Sequence, residues 1–154
     1  MLHFTSRLSQ AYKGELERLM FFNAGQKNVH ATIEQAVEKY GSPNISVADG
    51  ALKITMDNLK DSQALFTLTD KKLIAVMVYS RLSVEAITVI HIAIDEEYSA
   101  NGRYSSKMVM LRQLNMLRQN ARRIRGVKII NLKLGENRVA DFSLPLNKPS
   151  HPKA

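Results

Sequence analysis

At 154 residues, with 45% hydrophobic and 23% charged residues, the sequence is typical of one globular domain that is large enough to bury a core. No apolar run approaches the roughly 20 residues that a membrane-spanning helix requires, and residues 1–7 lack the apolar core of a secretory signal. The lack of cysteine excludes a disulfide framework, a thiolate metal site and a cysteine nucleophile. We therefore expect a cytoplasmic protein without a membrane as its partner.

The positive charge is concentrated in one part of the chain. The net charge is +8, and the stretch between Tyr98 and Gly135 holds no aspartate or glutamate. This stretch, the basic block, carries Arg103, Lys107, Arg112, Arg118, Arg122, Arg123, Arg125, Lys128 and Lys133. Such a block attracts phosphates in nucleic acid, in a nucleotide-like cofactor or on an acidic partner. The alternative is a solvated helix face with arginines near the helix C-terminus, where the dipole favours them.

Two helices are predicted at the start of the chain. Apolar residues recur at three-and-four spacing over residues 4–22, and Asn23-Ala24-Gly25 is a plausible stop. A second helix is predicted over residues 29–40, with Asn28 as its N-cap and Gly41-Ser42-Pro43 at its end.

From Ile45 the hydrophobic period changes to two, which is typical of strands. Residues 45–56 predict a hairpin around the Asp49-Gly50 turn. Residues 64–69 and 73–79 flank another tight reversal, and residues 87–94 form a further apolar run. These segments predict an antiparallel meander of three or four strands.

A strand–turn–helix–strand unit follows the meander. The turn covers residues 96–103, the helix residues 104–125, and the second strand residues 127–134, parallel to residues 87–94 if the crossover is right-handed. The predicted buried stripe of the helix consists of Tyr104, Met108, Leu111, Leu114, Leu117, Ala121 and Ile124. After it we expect a helical turn within residues 137–142. The fold class is thus α+β, with one domain over residues 1–144 and a flexible basic tail over residues 145–154.

This order of elements, and two local motifs, resemble the GNAT acyltransferase superfamily. Residues 90–98 are similar to the family's strand before its acyl-CoA loop, and Ser99-Ala100-Asn101-Gly102-Arg103-Tyr104 lies on its motif Arg/Gln-x-x-Gly-x-Gly/Ala. Residues 137–140 match a second family motif, Asn-x-x-Ala. The resemblance covers about residues 64–140. The chain departs from the loop motif at Ser99 and Tyr104, and the family's closing strands are not expected in the short, proline-rich tail.

The resemblance implies acetyl-CoA or another acyl-CoA as cofactor. The backbone of Ile92, Ala93 and Ile94 would pair with the pantetheine arm like an added strand, and the N–H groups from Asn101 to Ser105 would bind the diphosphate. The predicted diphosphate-side contacts are Asn101, Gly102, Arg103, Tyr104, Ser105, Ser106, Lys107 and Asn137. The alternative is that Gly102 only allows a tight turn and that the serines cap the helix.

Transfer of an acyl group to an amine needs a base and an acid. His91 is the first candidate base and Glu85 the second, and Tyr98 or Tyr104 is the candidate acid. The alternative for His91, which we favour from the sequence, is a hydrogen-bonded core histidine. The sequence shows no catalytic triad order, P-loop or zinc spacing, and no metal is predicted.

Three functional hypotheses follow. The first is an acyl-CoA-dependent N-acyltransferase that acts on an amine of a small molecule or a protein. The second is a non-catalytic protein that uses the same fold for binding or assembly. The third is nucleic-acid binding through the basic block, which we do not favour because Tyr104 is its single aromatic residue. An exposed sheet edge would favour a homodimer.

Overall fold

The computed structural model describes residues 1–21, 40–59, 61–99, 102–133 and 141–145. Within these ranges lie two α-helices, α1 (Lys13–Phe21) and α2 (Val109–Ala121). Short 3-10 turns cover Gln10–Tyr12 and Ser105–Lys107. The strands are β1 (Leu2–Thr5), β2 (Pro43–Ala48), β3 (Ala51–Met56), β4 (Gln63–Thr69), β5 (Lys72–Arg81), β6 (Ala86–Ile94), β7 (Ile129–Lys133) and β8 (Asp141–Pro145).

Most of the strands join one mixed sheet. Its six strands follow the order β1-β4-β5-β6-β7-β8, and β2 and β3 form a separate hairpin. Among the described strands β6 and β7 make the one parallel pair, and α2 is the crossover between them. The predicted α+β class, with a meander followed by a strand–helix–strand crossover, is therefore confirmed.

The core lies on both faces of the sheet, and β5 is buried from Leu73 to Ser80 because it runs through the middle. On one face α1 and the β2–β3 hairpin pack with Leu16, Leu19 and Ile54. On the other face α2 packs with Leu114 and Leu117, among others. Burial of each such side chain contributes about 1.5–3 kcal/mol. We call the two faces of the sheet the α1 face and the α2 face.

The start of the chain differs from its prediction. Residues 2–5 form β1, which pairs antiparallel with residues 66–69 of β4, and the α-helix begins only at Lys13. The prediction of a helix from residue 4 was wrong there because Leu2 and Phe4 suit strand alternation equally well. The open edge of β4 supplies the hydrogen bonds that decide between the two.

The second half of the chain also needs corrections. The helix predicted from Tyr104 begins at Val109, and its N-terminal stripe was wrong: Met108 is 54% and Leu111 48% exposed, whereas Gln113 is fully buried. Ile124, the last predicted stripe residue, lies beyond the helix and is 38% exposed. The 3-10 turn and the left-handed Met108 (φ 52°) shift the phase of the helix.

Residues 141–145 form β8, antiparallel to β7, and not the predicted helical turn. The expectation that no closing strand follows was thus also wrong. This pairing satisfies the backbone hydrogen-bonding groups on the outer edge of β7. Pro145 lies at the end of its strand, where the lack of an N–H disturbs the hydrogen-bond ladder least. The predicted second helix, the Asn-x-x-Ala motif and the tail after Pro145 fall largely or entirely outside the described residues.

Candidate functional site

The parallel strands β6 and β7 stay paired for only part of the length of β6. Their register joins Ala86 to Ile129 and ends with Val89 opposite Leu132. Strand β6 continues to Ile94, still paired with β5 on its other side. Among the described strands none pairs with residues 90–93 on the β7 side, and residues 134–140, which follow β7, lie outside the described residues. We call the space beside residues 90–93 of β6 the slot.

A β-bulge marks the beginning of the slot. Val78 pairs with His91 and Tyr79 pairs with Val89, so Ile90 is an extra residue in β6. A bulge bends its strand and redirects the side chains that follow, and bulges are frequent beside active sites. Here the bulge coincides with the residue after the last described β6–β7 pair, Val89–Leu132.

His91 follows the bulge and faces the α1 side of the sheet. Its cross-strand neighbour Val78, and Ala93 two residues on, both belong to the α1-face core. The side chain is 6% exposed, and Nε2 has no hydrogen-bond partner among the described residues. Burial lowers the pKa of His91 to about 4, so the ring is neutral at pH 7. His91 is thus a core histidine, but its buried Nε2 lacks the partner that the sequence led us to expect.

Asp95 anchors the turn that follows β6, and the sequence analysis missed it. Its side chain is buried; Oδ2 accepts a hydrogen bond from Arg18 of α1 at 2.8 Å and Oδ1 accepts one from the Glu97 N–H at 3.0 Å. Its carbonyl accepts hydrogen bonds from the Tyr98 and Ser99 N–H groups at 2.9 and 3.1 Å. An aspartate directly after an apolar strand is the sequence signal that could have identified this turn.

Gly102 is packed against the same turn. A Cβ atom there would overlap the carbonyl oxygens of Glu96 and Glu97. The Gly102 N–H donates to the Ser99 carbonyl at 2.9 Å, the Tyr104 N–H to the Glu97 carbonyl at 2.6 Å and the Ser105 N–H to the Gly102 carbonyl at 3.2 Å. Three amides of the predicted diphosphate site are therefore occupied by the chain itself. Asn101 lies outside the described residues.

Two tyrosines stack beside this loop on the α2 face. The ring centroids of Tyr98 and Tyr104 are 4.9 Å apart, and the Arg103 guanidinium lies 5.3 Å from the Tyr104 ring. Burial raises the pKa of Tyr98, and its neighbours Tyr104, Glu97, Asp95 and Asp70 raise it further. Tyr98 therefore keeps its phenolic proton at neutral pH, as a proton donor must.

The start of α2 lies beside the end of β6. Val109 packs in one cluster with Ile94 and Tyr98. Met108 precedes the helix without a side-chain cap, and the first hydrogen bond of the helix runs from the Arg112 N–H to the Met108 carbonyl at 3.0 Å. The amides of residues 109–111 come before that bond and have no partner within the helix. Together with the helix dipole, they make this terminus the place near the slot that favours an anion.

The remaining predicted site residues lie apart from this group. Glu85 precedes β6, about 30 Å along an extended chain from Ile94, and it is ion-paired with Lys128 at 3.3 Å. Arg103, Ser105, Ser106 and Lys107 are exposed on the approach to α2. Asn137 lies outside the described residues. The structure thus brings Ile94, Tyr98 and Tyr104 to the start of α2, places His91 on the opposite face, and leaves Glu85 at the other end.

The described residues contain no group of three or more histidine, aspartate or glutamate side chains arranged to hold a metal ion. In the part of the chain with assigned positions, no helix is long and apolar enough to span a membrane.

No protein-family model and no curated protein matches the sequence. Solved structures do match. An acetyltransferase from Streptococcus agalactiae 2603 is 10% identical, with 88% of this chain and 74% of that chain covered and a TM-score of 0.40. A protein of Bacillus anthracis str. Ames, named as a streptothricin acetyltransferase and solved with acetyl coenzyme A, is 14% identical, with 64% and 62% covered and a TM-score of 0.32. Both similarities are remote, and neither assigns a function to this chain.

Proposed function

We propose that this chain is an acyl-CoA-dependent N-acyltransferase that acts on an amine of a small molecule or a protein. The observation that carries the proposal is the end of the β6–β7 pairing at Val89 within the described residues, while β6 itself runs on to the start of α2. An elongated ligand with amide groups along its length fits such a slot as an added strand. Ligands of sheets with parallel strands bind at comparable crevices, beyond the carboxyl ends of the strands.

The fit of the residues to acyl-CoA differs between its two parts. The backbone of Ile92 and Ala93 borders the slot and would hold the pantetheine arm. The diphosphate does not fit the amides of Gly102, Tyr104 and Ser105, because they already donate to carbonyls of the chain. It fits better at the first turn of α2, at residues 109–111, where Arg103, Lys107 and Arg112 are exposed nearby in sequence. Acyl-CoA would supply an activated thioester carbonyl at the other end of the pantetheine arm.

The two candidate proton carriers have different roles in this arrangement. A histidine with a pKa of about 4 is a weak base at pH 7. Its neutral Nε2 is suited to accept a hydrogen bond from the incoming amine and so to orient it. Tyr98 keeps its proton because its pKa is raised, and it lies at the start of α2, where it would donate a hydrogen bond to the diphosphate end of the cofactor. The departing thiolate would take, through water, the proton that the attacking amine releases. Glu85 lies too far along β6 to take part.

The second candidate function is non-catalytic binding or assembly on the same fold. The observation that favours it is the closed loop at Gly102, whose N–H groups serve the turn. This alternative needs no base, and the low pKa of His91 agrees with it.

Acetyl-CoA binding and acyl transfer, measured separately, distinguish the two. A ligand at a hundred times its Kd stabilises a protein by about 2.7 kcal/mol, which a thermal melt detects. We expect acetyl-CoA, but not acetate with adenosine, to raise the melting temperature, and we expect thiol release with at least one member of an amine panel. No shift at millimolar acetyl-CoA contradicts the proposal. A shift without thiol release would favour the non-catalytic alternative.

A further inference from the structure

Two loops meet at the end of the sheet that is remote from the slot. Residues 82–85 follow β5, and residues 122–128 follow α2. The Arg81 guanidinium ties the loops together, because it donates to the Val84 carbonyl at 2.6 Å and to the Arg125 carbonyl at 2.8 Å. The Lys128 N–H donates to the Glu85 carbonyl at 2.7 Å. We call residues 81–85 and 122–128 the end surface.

The end surface combines exposed aliphatic side chains with positive charge. Val84 is 72%, Leu82 43% and Ile124 38% exposed. Its cationic residues are Arg81, Arg122, Arg123, Arg125 and Lys128. Its one carboxylate is Glu85, which pairs with Lys128 at 3.3 Å, and Asp61 lies near its border. The surface is therefore strongly cationic, with apolar side chains exposed among the charges.

A cavity of about 510 Å³ adjoins this surface. Ile87 and Ile124 contribute apolar lining, Lys53 and Arg81 contribute cationic groups, and Tyr79 also lines it. Its other lining residues, Asp61, Ser62, Gln63 and Ser80, are polar, so the cavity is mixed in character.

We propose that the end surface docks on an anionic lipid bilayer. The cationic residues are attracted by the negative surface potential of such a bilayer, and Val84, Leu82 and Ile124 gain by leaving water for its interface. Nucleic acid explains the charge alone: its phosphates give no reason for exposed aliphatic side chains, and neither loop holds an aromatic residue on which a base could stack. The bilayer accounts for both features. The sequence led us to expect no membrane partner because it has no spanning segment, but a peripheral contact needs none.

Vesicle co-sedimentation of the full chain tests this docking. We expect binding to phosphatidylcholine vesicles that contain about 30% phosphatidylglycerol, little binding to pure phosphatidylcholine, and weakening as salt rises. Arg123→Glu/Arg125→Glu should lower the affinity by about tenfold or more. The control Lys13→Glu/Lys71→Glu makes the same change in net charge at exposed positions near the β4–β5 turn, at the other end of the sheet, and should bind like the parent.

The apolar half of the proposal has its own pair of variants. Val84→Asp should lower vesicle binding by about fivefold or more, whereas Val47→Asp, at an exposed position of β2, should lower it much less. Absence of binding to the anionic vesicles at low salt would overturn the proposal. Equal binding by the Val84 variant and the parent, with tighter binding to a DNA duplex than to vesicles, would overturn it in favour of nucleic acid.

Discussion

Arg18 of α1 lies 2.8 Å from Asp95, the residue that directly follows β6. Asp95 is 5% exposed at its side chain and Arg18 44%, so the pair joins a solvated helix face to a buried turn. The same carboxylate holds the Glu97 N–H, and Lys72 Nζ is 4.0 Å away. The turn that carries Tyr98 and supports Gly102 is therefore fixed by a helix from the other end of the chain.

Asp95→Asn should lower the free energy of unfolding by about 1–3 kcal/mol, because the amide cannot satisfy both the guanidinium and the Glu97 N–H. Part of the ion-pair energy is already lost to solvent at the exposed Arg18. Chemical denaturation measures the change. Asp70→Asn is the control, since Asp70 is exposed in a turn with φ 48°, where asparagine is well tolerated. Equal stability of the two variants would contradict the role given to Asp95.

Gly102→Ala should destabilise the fold by about 1–3 kcal/mol, because the new Cβ atom meets the Glu96 and Glu97 carbonyls and neither is a flexible side chain. Gly14→Ala is the matched change: nothing lies within 4 Å of its Cβ position, and it is inside α1. There we expect a gain of about 0.5–1 kcal/mol. Thermal melts of both variants give the comparison, and a harmless Gly102→Ala would mean that the loop is not closed as described.

His91 should make stability depend on pH in a defined window. Its pKa is about 4 in the fold and about 6.5 when unfolded, so the unfolded chain binds the extra proton. The contribution of neutral His91 to the free energy of unfolding is fully present above pH 6.5. It falls by about 1.4 kcal/mol per pH unit as the pH drops towards 4, and the total loss is about 3 kcal/mol.

The measurement is the denaturation midpoint of the parent and of His91→Leu between pH 4 and pH 7.5. The variant should lose that part of the acid sensitivity. His3→Leu, which removes an exposed imidazole, serves as the control. An unchanged pH profile in His91→Leu would show that the imidazole is not buried in the fold.

Gln113 and Thr67 form a buried polar pair between α2 and β4. Gln113 Nε2 donates to Thr67 Oγ1 at 2.9 Å, and both residues are fully buried. Gln113→Leu should cost about 1–3 kcal/mol, because it leaves the threonine hydroxyl without its donor. Adding Thr67→Val should recover most of that loss, since both polar groups are then gone. A double-mutant cycle measures the coupling, and additive effects would rule out the bond.

The sequence was informative where local chemistry decides the structure. The hairpin turns follow from Asp49-Gly50 and Asp70-Lys71, all with positive φ, which two-residue turns between antiparallel strands require. The order of β4, β5 and β6 followed from apolar runs separated by such turns. The parallel pair followed from the helix between two apolar strands.

The sequence was misleading where residues far apart in the chain determine the local structure. Residues 2–5 became a strand because β4 offered an edge to pair with. Gln113 lies in the buried stripe of α2 because Thr67, far away in sequence, offers a partner. In the same way, the Gly102 motif predicted the turn correctly but was wrong to predict amides free to bind a diphosphate. These amides donate to the carbonyls of Glu97, Ser99 and Gly102, in a turn that Asp95 anchors. A motif fixes which residues are adjacent, and only the tertiary structure fixes which groups are satisfied.

The division of the proposed site between the two faces of the sheet has a kinetic consequence. His91 lies on one face, and Tyr98 and the α2 terminus lie on the other. Donor and acceptor would then approach from opposite directions and could be present at the same time. An enzyme built this way has no need to store the acyl group on a side chain of its own. Its initial-rate plots would intersect, as they do for direct transfer within a ternary complex.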